Sequence, residues 1–235
     1  MTRRYDSKAA RQRILSTCVR LFLEQGYSKT VPKQIISEAD VTVGSFYNIF
    51  KSKISVLTDL CEFMFENQFG IAEDIVGKDA GGALIYAVET SIQLTLAELN
   101  ENLREIYVEA YTDPDLLELI QHKTASKLKE LFNIYIPNGR ESDFYEMEIG
   151  TSGMIRGYMA KKCDMYFTIE KKLARFLSTA LDVYNVPKEE KKQIIETIMG
   201  LDIRRIAENV MRKLFARLEM EFDFKLPSES YNTNL

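Results

Sequence analysis

Histidine and cysteine are scarce in this chain. His122 is the only histidine among 235 residues, and Cys18, Cys61 and Cys163 lie far apart with no CxxC pair. A zinc site needs several cysteine or histidine ligands at short spacings, and a disulfide framework needs cysteines that can pair. We therefore predict no metal, no disulfide and no bound cofactor. Cys18 and Cys61 fall on apolar faces, where a thiol behaves as a small hydrophobe.

Long apolar runs are also absent. No uncharged stretch exceeds ten residues, whereas a membrane-spanning helix needs about 20 apolar residues. The charged N-terminus lacks the apolar segment of a secretory signal. These absences predict a cytoplasmic protein that does not enter a membrane.

The usual sequence marks of an enzyme are missing as well. The chain has no G-x-S-x-G segment, and a serine hydrolase would have to rely on His122 alone. Residues 70–79, GIAEDIVGKD, superficially resemble a phosphate-binding loop, but six residues separate the glycines and Asp79 stands where Ser or Thr is required. We predict that the chain is not an enzyme.

Residues 28–53, SKTVPKQIISEADVTVGSFYNIFKSK, predict two short helices joined by a tight turn. Thr30 is the expected N-cap of the first helix, and Pro32 lies in its first turn, where no backbone N–H is needed. Asp40 tolerates the left-handed backbone of a turn, and Val41 would fill the angle between the helices. This pattern is typical of a helix-turn-helix.

The second of these helices, residues 43–49, is predicted to lie in the major groove of DNA. Phe46 and Phe50, four residues apart, would pack inward. The opposite face is low in relief, which suits a groove about 12 Å wide that admits one helix. That face carries Thr42, the expected N-cap, with Val43, Gly44, Ser45 and Asn48.

A helix pair of this kind also occurs by chance in ordinary helical domains, so its context matters. Upstream, apolar residues recur at helical spacing over residues 6–25 and predict a first helix that ends at Gly26. Such a helix is what the pair needs to close a small core. The segment LFLEQGY at residues 21–27 belongs to this helix and its end.

These features resemble the DNA-binding head of the tetracycline-repressor (TetR) family over residues 8–60. The resemblance implies an all-α fold, with a helix-turn-helix DNA-binding domain over residues 1–53 and a larger helical ligand-binding and dimerisation domain over residues 54–235. It further implies a homodimeric repressor that binds a palindromic double-stranded DNA operator and is released by a small molecule. The positions that carry the resemblance are Thr30, Ile35, Ala39, Val41, Gly44, Phe46, Tyr47, Phe50 and Lys53.

The resemblance also assigns contacts with DNA. By position, Tyr47 and Lys53 correspond to residues that touch phosphate, and Thr30 and Lys33 would approach the DNA backbone. Phosphate contacts position the protein, whereas contacts with base edges carry sequence information. The residues expected to meet bases or the groove floor are Thr42, Val43, Gly44, Ser45 and Asn48.

Three positions depart from the family pattern. Asp40 stands where glycine is usual, Val43 where a polar or basic residue is common, and Ile49 where an aromatic residue is common. Because Val43 offers only apolar contact, for example with a thymine methyl group, we expect Ser45, Asn48 and Lys33 to share the readout of the operator.

Charge is unevenly distributed along the chain. Residues 1–53 hold ten Lys or Arg and four Asp or Glu, a net of +6, so the other 182 residues carry −10 of the total of −4. The basic charge therefore coincides with the proposed phosphate-binding segment. Five basic residues open the chain and are expected either to follow DNA as an arm or to be solvated: Arg3, Arg4, Lys8, Arg11 and Arg13.

Beyond the head, the pattern is helical throughout. A long fourth helix is predicted over residues 53–76, and further helices are predicted near residues 82–100, 102–111, 114–136, 143–164, 169–185 and 188–222. The family resemblance implies that residues 143–181 include the dimer-forming helices. Gly150, Gly153 and Gly157 would permit close helix approach, either between subunits or in a crossing within one chain.

Ligand-binding residues have no shared motif in this family, so the candidates rest on residue type. Tyrosine, methionine and polar side chains in the C-terminal region suit an adaptable apolar pocket with a few polar groups, although such residues also fill ordinary cores. Glu89 would suit a cationic ligand. The candidates are Tyr86, Glu89, Gln93, Tyr107, Tyr111, Met154 and Tyr158.

The rival prediction is a helical adaptor that binds only protein. An acidic C-terminal domain and a long last helix would suffice for that role, but the adaptor prediction does not explain the basic charge of the head.

Overall fold

The computed structural model of the chain describes residues 2–65, 68–77 and 79–227. Within these residues the chain forms α-helices and no strands, so the predicted all-α fold is confirmed. The helices are α1 (Thr2–Gln25), α2 (Pro32–Glu38), α3 (Val43–Ile49), α4 (Lys53–Phe65), α5 (Gln68–Val76), α6 (Gly82–Leu99), α7 (Glu101–Ala110), α8 (Pro114–Phe132), α9 (Glu141–Ala160), α10 (Ile169–Val183), α11 (Lys188–Gly200) and α12 (Ile203–Phe222).

Most predicted helix boundaries lie within a few residues of the observed ones. The helix predicted over residues 188–222 is wrong, because it divides into α11 and α12. Asp202 explains the division, since its carboxylate accepts a hydrogen bond from the backbone N–H of Arg205 at 3.1 Å and starts a new helix. The helix predicted over residues 53–76 is described as α4 and α5, on either side of residues 66 and 67, which lie outside the described residues.

Helix α6 forms the centre of the C-terminal region. Fifteen of its 18 residues are buried, and α5, α7, α8, α9, α10, α11 and α12 all pack against it. Gly82 opens this helix directly against the backbone carbonyl of Leu131 on α8, where a Cβ atom would collide. A helix buried on nearly every side belongs to the interior of a protein, and α6 is therefore the fixed element around which the others are arranged.

The C-terminal region also contains a buried ionic network. The Nζ atom of Lys172, which has no exposed surface, donates to Glu98 Oε1 at 2.5 Å. Arg104 donates to the second oxygen of Glu98 at 3.3 Å, and the backbone N–H of Cys163 donates to the same carboxylate. Burial opposes ionisation of Glu98, but the bonds from Lys172 and Cys163 outweigh it and lower the pKa of the carboxyl. The network ties α6 and α7 to α10.

The N-terminal helices pack on the C-terminal region through α1. Gly26, which ends α1 as predicted with a φ of +93°, lies against Asn102 and Glu105 of α7. Asn102 donates to the carbonyl of Leu23 at 2.8 Å, and Glu105 accepts from the backbone N–H of Ser28 at 3.0 Å. The C-terminal end of α12 also contacts α1.

No helix in the described ranges is both long enough and apolar enough to cross a membrane. The surface placement of His122, which the helical spacing on α8 predicts, is observed, with its side chain 63% exposed.

Candidate functional site

The entry to α2 differs from its sequence prediction. Val31, not Thr30, occupies the N-cap position, and no side chain caps this helix. Thr30 is fully buried, where its hydroxyl donates to the carbonyl of Gly26 at 2.8 Å and accepts from Gln25 at 3.2 Å. Thr30 therefore holds the α1–α2 connection together, and its side chain has no surface with which to reach the DNA backbone.

The turn between α2 and α3 has the predicted geometry. Asp40 adopts the left-handed conformation with a φ of +49°, and the backbone N–H of Val41 donates to the carbonyl of Ile36 at 3.2 Å. Arg13 of α1 donates through Nε to the carbonyl of Ala39 at 3.0 Å. Arg13, one of the five residues suggested for a DNA-binding arm, thus stabilises the turn from the side that faces α1.

Helix α3 begins as its sequence predicts. The Thr42 hydroxyl accepts from the backbone N–H of Ser45 at 3.0 Å and lies 2.9 Å from the Ser45 hydroxyl. Phe46 and Phe50 are buried, and the guanidinium of Arg11 lies over the Phe50 ring at 5.2 Å. The aromatic face of α3 is therefore anchored in the core, which fixes the direction of the opposite face.

That opposite face is exposed. Val43 is 61% exposed and Tyr47 is 50% exposed, and Gly44 and Asn48 are exposed beside them. Ser45 is half-buried, because its hydroxyl is close to Thr42. At Gly44 the nearest atom to an added Cβ would be the Thr42 hydroxyl at 3.9 Å, so the surface there is flat and open. The face has the low relief that close approach to DNA requires.

Lys53 is engaged within the protein. Its Nζ donates to the carbonyls of Tyr27 at 2.7 Å and Thr30 at 2.9 Å, and it lies 3.7 Å from the centre of the Tyr27 ring. Burial lowers the pKa of this ammonium group. An ammonium has three donors, and two of them are occupied here. The arrangement gives Lys53 a structural role in the α1–α2 connection.

Other lysines of the head remain available for phosphate. Lys33 is exposed on α2, and Lys8, Lys29 and Lys51 are exposed in the same part of the chain. Within the described residues none of these four forms a salt bridge, whereas Arg11 pairs with Asp59 and Arg20 pairs with Glu24 and Glu38. Lys29 and Lys51 were missed by the sequence prediction, although each directly flanks one end of the helix-turn-helix. The side chains of Arg3 and Arg4 lie outside the described residues.

A cavity of about 240 Å³ lies between α4, α5, α6, α7 and α12. Its walls are mainly apolar, with charged side chains at Asp74, Lys213 and Arg217. Three of the seven ligand-binding candidates line it, namely Glu89, Gln93 and Tyr107. The last helix, which was not predicted to line a pocket, supplies one wall through Val210, Lys213, Leu214 and Arg217.

Gln93 is the notable polar group of this cavity. It is 3% exposed, and its Nε2 donates to Glu89 Oε1 at 3.0 Å. Its Oε1 atom has no hydrogen-bond partner among the described residues. Because an unsatisfied buried acceptor costs about 1–3 kcal/mol, a ligand that donates a hydrogen bond there would gain binding energy.

Tyr86 and Tyr111 line a separate space of about 20 Å³, next to Gln93. Glu148 and Thr151 of α9 line it as well, and the Thr151 hydroxyl donates to Glu148 Oε2 at 2.6 Å. Tyr184 donates to the same oxygen at 3.3 Å. Complete burial raises the pKa of Glu148 to about 7, and the two donors only partly offset this effect. Sequence spacing gave no sign of Glu148, which lies between Met147 and Ile149 on α9.

The other two ligand-binding candidates are elsewhere. Met154 and Tyr158 line a surface recess beside Gly153 and Gly157 on α9, away from the cavity, so the seven candidates do not share one pocket in this structure. Along the same helix, Gly150, Gly153 and Gly157 have no neighbouring atom of the described residues within 4 Å of an added Cβ. Within the described part of the chain, no tight helix crossing forms at these glycines.

Comparisons with known proteins find similarity to bacterial regulators of transcription. Residues 14–60 match the model of the bacterial regulatory proteins of the tetR family. The chain is 39% identical to the uncharacterized HTH-type transcriptional regulator YerO of Bacillus subtilis strain 168 over 72 residues, which are 29% of this chain and 25% of that protein. It is 29% identical to the HTH-type transcriptional regulator AcrR of Shigella flexneri over 118 residues, which are 50% of this chain and 51% of that protein. The chain thus spans a quarter to about half the length of these curated relatives.

Proposed function

We propose that this chain is a dimeric, sequence-specific repressor of transcription, since residues 14–60 match the tetR family of bacterial regulatory proteins. In this proposal a small molecule enters the C-terminal cavity and releases the protein from its operator. The observation that carries the DNA-binding part is the exposed face of α3, held outward by buried Phe46 and Phe50 and accompanied by lysines without salt-bridge partners in the described residues.

The contacts with DNA divide by chemistry. Tyr47 and Lys33 donate to phosphates, and Lys29 and Lys51 add positive charge at the two ends of the helix-turn-helix. Asn48, Ser45 and Thr42 supply donors and acceptors for base edges, and Val43 supplies apolar contact for a thymine methyl group. Gly44 lets the backbone of α3 approach the groove floor. Thr30 and Lys53 support the site from within and have no direct contact in this proposal.

Dimerisation uses the glycine face of α9. Gly150, Gly153 and Gly157 leave a flat strip that nothing within the described chain covers, and Ile149 is 50% exposed beside it. Two such strips related by a two-fold axis allow the backbones of two α9 helices to approach closely. Two heads related by the same axis would bind half-sites about 34–36 Å apart, or a multiple of that distance, and the operator would be palindromic.

The ligand of the proposed repressor is a small, largely apolar molecule with at least one hydrogen-bond donor. The apolar walls of the 240 Å³ cavity set the first property, and the unsatisfied Oε1 of Gln93 sets the second. Glu89, in the same wall, favours a donor that carries positive charge. If the ligand binds more weakly to the operator-bound form, its occupancy lowers operator affinity by the same factor.

Selection of bound duplexes from a random DNA pool, at a stated salt concentration and with the full-length protein, tests the proposal. Enrichment of a palindrome would support a dimeric operator-binding protein. Enrichment of a single half-site would overturn the dimeric part alone. Failure to enrich any sequence at low salt would overturn DNA recognition and favour the protein-binding adaptor.

A further inference from the structure

Helix α12 touches both the cavity and the N-terminal head. In its middle, Val210, Lys213, Leu214 and Arg217 line the cavity. At its C-terminal end, α12 packs against α1. The helix is continuous from Ile203 to Phe222, so Arg217 and Glu221 are separated by one helical turn of about 5.4 Å. The two contact regions therefore move as one rigid element.

Two hydrogen bonds join the end of α12 to α1. Gln12 Nε2 donates to the backbone carbonyl of Glu221 at 3.3 Å, and the Ser16 hydroxyl donates to the carbonyl of Asp223 at 3.1 Å. Asp223 closes the helix in the left-handed conformation, with a φ of +55°. The last carbonyls of a helix have no partner within it, and here side chains of the DNA-binding head satisfy two carbonyls at this end.

An aromatic contact reinforces the junction. Phe222 is buried with its ring 5.6 Å from that of Phe63 on α4, and the guanidinium of Arg217 lies 5.1 Å from the centre of the same Phe63 ring. Phe63 itself lines the cavity. A molecule in the cavity thus adjoins the aromatic ring on which the end of α12 rests.

Helix α12 is better able than α6 to respond to an occupant of the cavity. The opposing wall, α6, is buried along nearly its whole length, and movement of α6 would disturb every helix packed on it. On α12, by contrast, Lys213 and Arg217 are exposed and Leu214 is half-buried. Displacement of this outer wall disrupts fewer buried contacts and costs less free energy.

We propose that α12 transmits occupancy of the cavity to the DNA-binding head through its contact with α1. A molecule against α12 shifts the C-terminal turns of the helix, and the carbonyls held by Gln12 and Ser16 carry α1 with them. Because α1 packs on α2 and α3, the recognition face tilts. This inference rests on the proposed function and specifies how its two sites are coupled.

Coupling is reciprocal, so operator binding must alter α12 even when the cavity is empty. This allows a test with DNA as the only probe. Hydrogen exchange is measured by mass spectrometry on the full-length protein, free and bound to its selected operator duplex. The double variant Gln12→Ala/Ser16→Ala removes both side-chain bonds. Gln12 is exposed and Ser16 is half-buried, so the fold is expected to survive.

The matched control is Asn102→Ala, which removes the 2.8 Å bond from α7 to the Leu23 carbonyl and leaves the α12 junction intact. In the wild type we expect the operator to slow exchange over residues 217–222 by about fivefold, the effect of roughly one net hydrogen bond. In Gln12→Ala/Ser16→Ala this change should disappear while operator binding persists. In Asn102→Ala it should remain.

The outcomes separate the inference from the proposed function. If the wild type binds an operator but α12 exchange does not change, or if the double variant responds as the wild type does, the inference is overturned and the repressor proposal stands. If loss of the response occurs in Asn102→Ala instead, coupling runs through α7 and the inference is again overturned. If no duplex binds to the wild type, the proposed function itself fails.

Discussion

The exposed face of α3 and the interior of the C-terminal region hold their polar groups in opposite ways. On α3, the side chains of Tyr47 and Asn48 form no hydrogen bond within the described part of the chain, and both are exposed to water. In the interior, Gln93 bonds to Glu89, and Thr151 and Tyr184 both donate to Glu148. Water satisfies the first set in the free protein, and DNA would replace it in the proposed function. Water does not reach the second set, so other groups of the folded chain must satisfy it, and Gln93 Oε1 is left without a partner among the described residues.

This difference affects how a function can be recognised on the exposed face of α3 and in the interior of the C-terminal region. On a surface that binds DNA, each exposed polar side chain can contact the partner by itself, so its role follows from its own chemistry. The cavity is defined by the side chains that enclose it and by the Gln93 acceptor, which has no hydrogen-bond partner among the described residues. Substitutions in the head should therefore mainly change binding to a partner. Substitutions in the interior should mainly change stability, because they leave a buried polar group without a hydrogen bond.

The largest effect should come from the buried ionic network. Lys172→Met leaves the Glu98 carboxylate with only Arg104 as a charged partner, and we expect a loss of about 3–5 kcal/mol in the free energy of unfolding because the remaining charge is buried. Urea denaturation measures this loss. The control is Lys162→Met, which removes an exposed pair with Glu101 and should cost at most about 1 kcal/mol. Equal losses in both variants would contradict the distinction between interior and surface.

A smaller interior effect depends on pH. Burial raises the pKa of Glu148 from 4.5 to about 7, so the folded protein holds a proton that the unfolded chain releases. The resulting stabilisation is complete below pH 4.5 and is lost as the pH rises through about 7. Its full size is about 3 kcal/mol, at 1.36 kcal/mol for each unit of pKa.

The variant Glu148→Gln keeps an acceptor for Thr151 and Tyr184 but cannot titrate. The difference in unfolding free energy between wild type and this variant should therefore shift by about 2–3 kcal/mol in favour of the variant between pH 5 and pH 8. Denaturation curves at several pH values measure it. A difference that stays constant over this range would show that Glu148 is not protonated in the folded protein.

Sequence reasoning worked best where one short segment determines the geometry. The cap at Thr42, the left-handed Asp40 and the inward rings of Phe46 and Phe50 all follow from local rules, and the structure has them. Local rules do not determine the partner of a side chain that has several partners within reach. Thr30 and Lys53 have residue types suited to DNA contact, yet backbone carbonyls brought close by the tertiary fold occupy them.

Prediction of the cavity was less successful for a related reason. Glu89, Gln93 and Tyr107 were named from residue type, and they share a wall because α6 and α7 pack together. Met154 and Tyr158 have equally suitable side chains but lie on the outer surface of α9. The contribution of α12 depends on the break at Asp202, which redirects the last helix along α6. No spacing rule predicts the direction of a helix after such a break.

On the exposed face, Asn48 and Tyr47 should separate sequence preference from general affinity. Asn48→Ala removes a side chain able to bond a base edge and should cost about 1–3 kcal/mol at one operator position, with little effect on unrelated DNA. Tyr47→Phe removes a phosphate donor and should weaken binding to all duplexes alike. Titration of each variant against the operator and its single-base changes measures both effects. A reversal of the two patterns would exchange the assigned roles.

The smallest effect distinguishes two lysines of the head. Lys33 is exposed without a salt-bridge partner in the described residues, so Lys33→Ala should reduce the slope of log affinity against log salt by about 0.9 for each phosphate that its ammonium neutralises. Lys53 bonds to the carbonyls of Tyr27 and Thr30, so Lys53→Ala should instead lower the free energy of unfolding by about 1–2 kcal/mol and leave the slope unchanged. Operator titrations from low to high salt, together with urea denaturation, measure both quantities. A reduced slope in Lys53→Ala would mean that the wild-type Lys53 ammonium leaves these carbonyls for phosphate when DNA binds. The contrast between exposed polar groups and internally bonded ones would then not hold within the head.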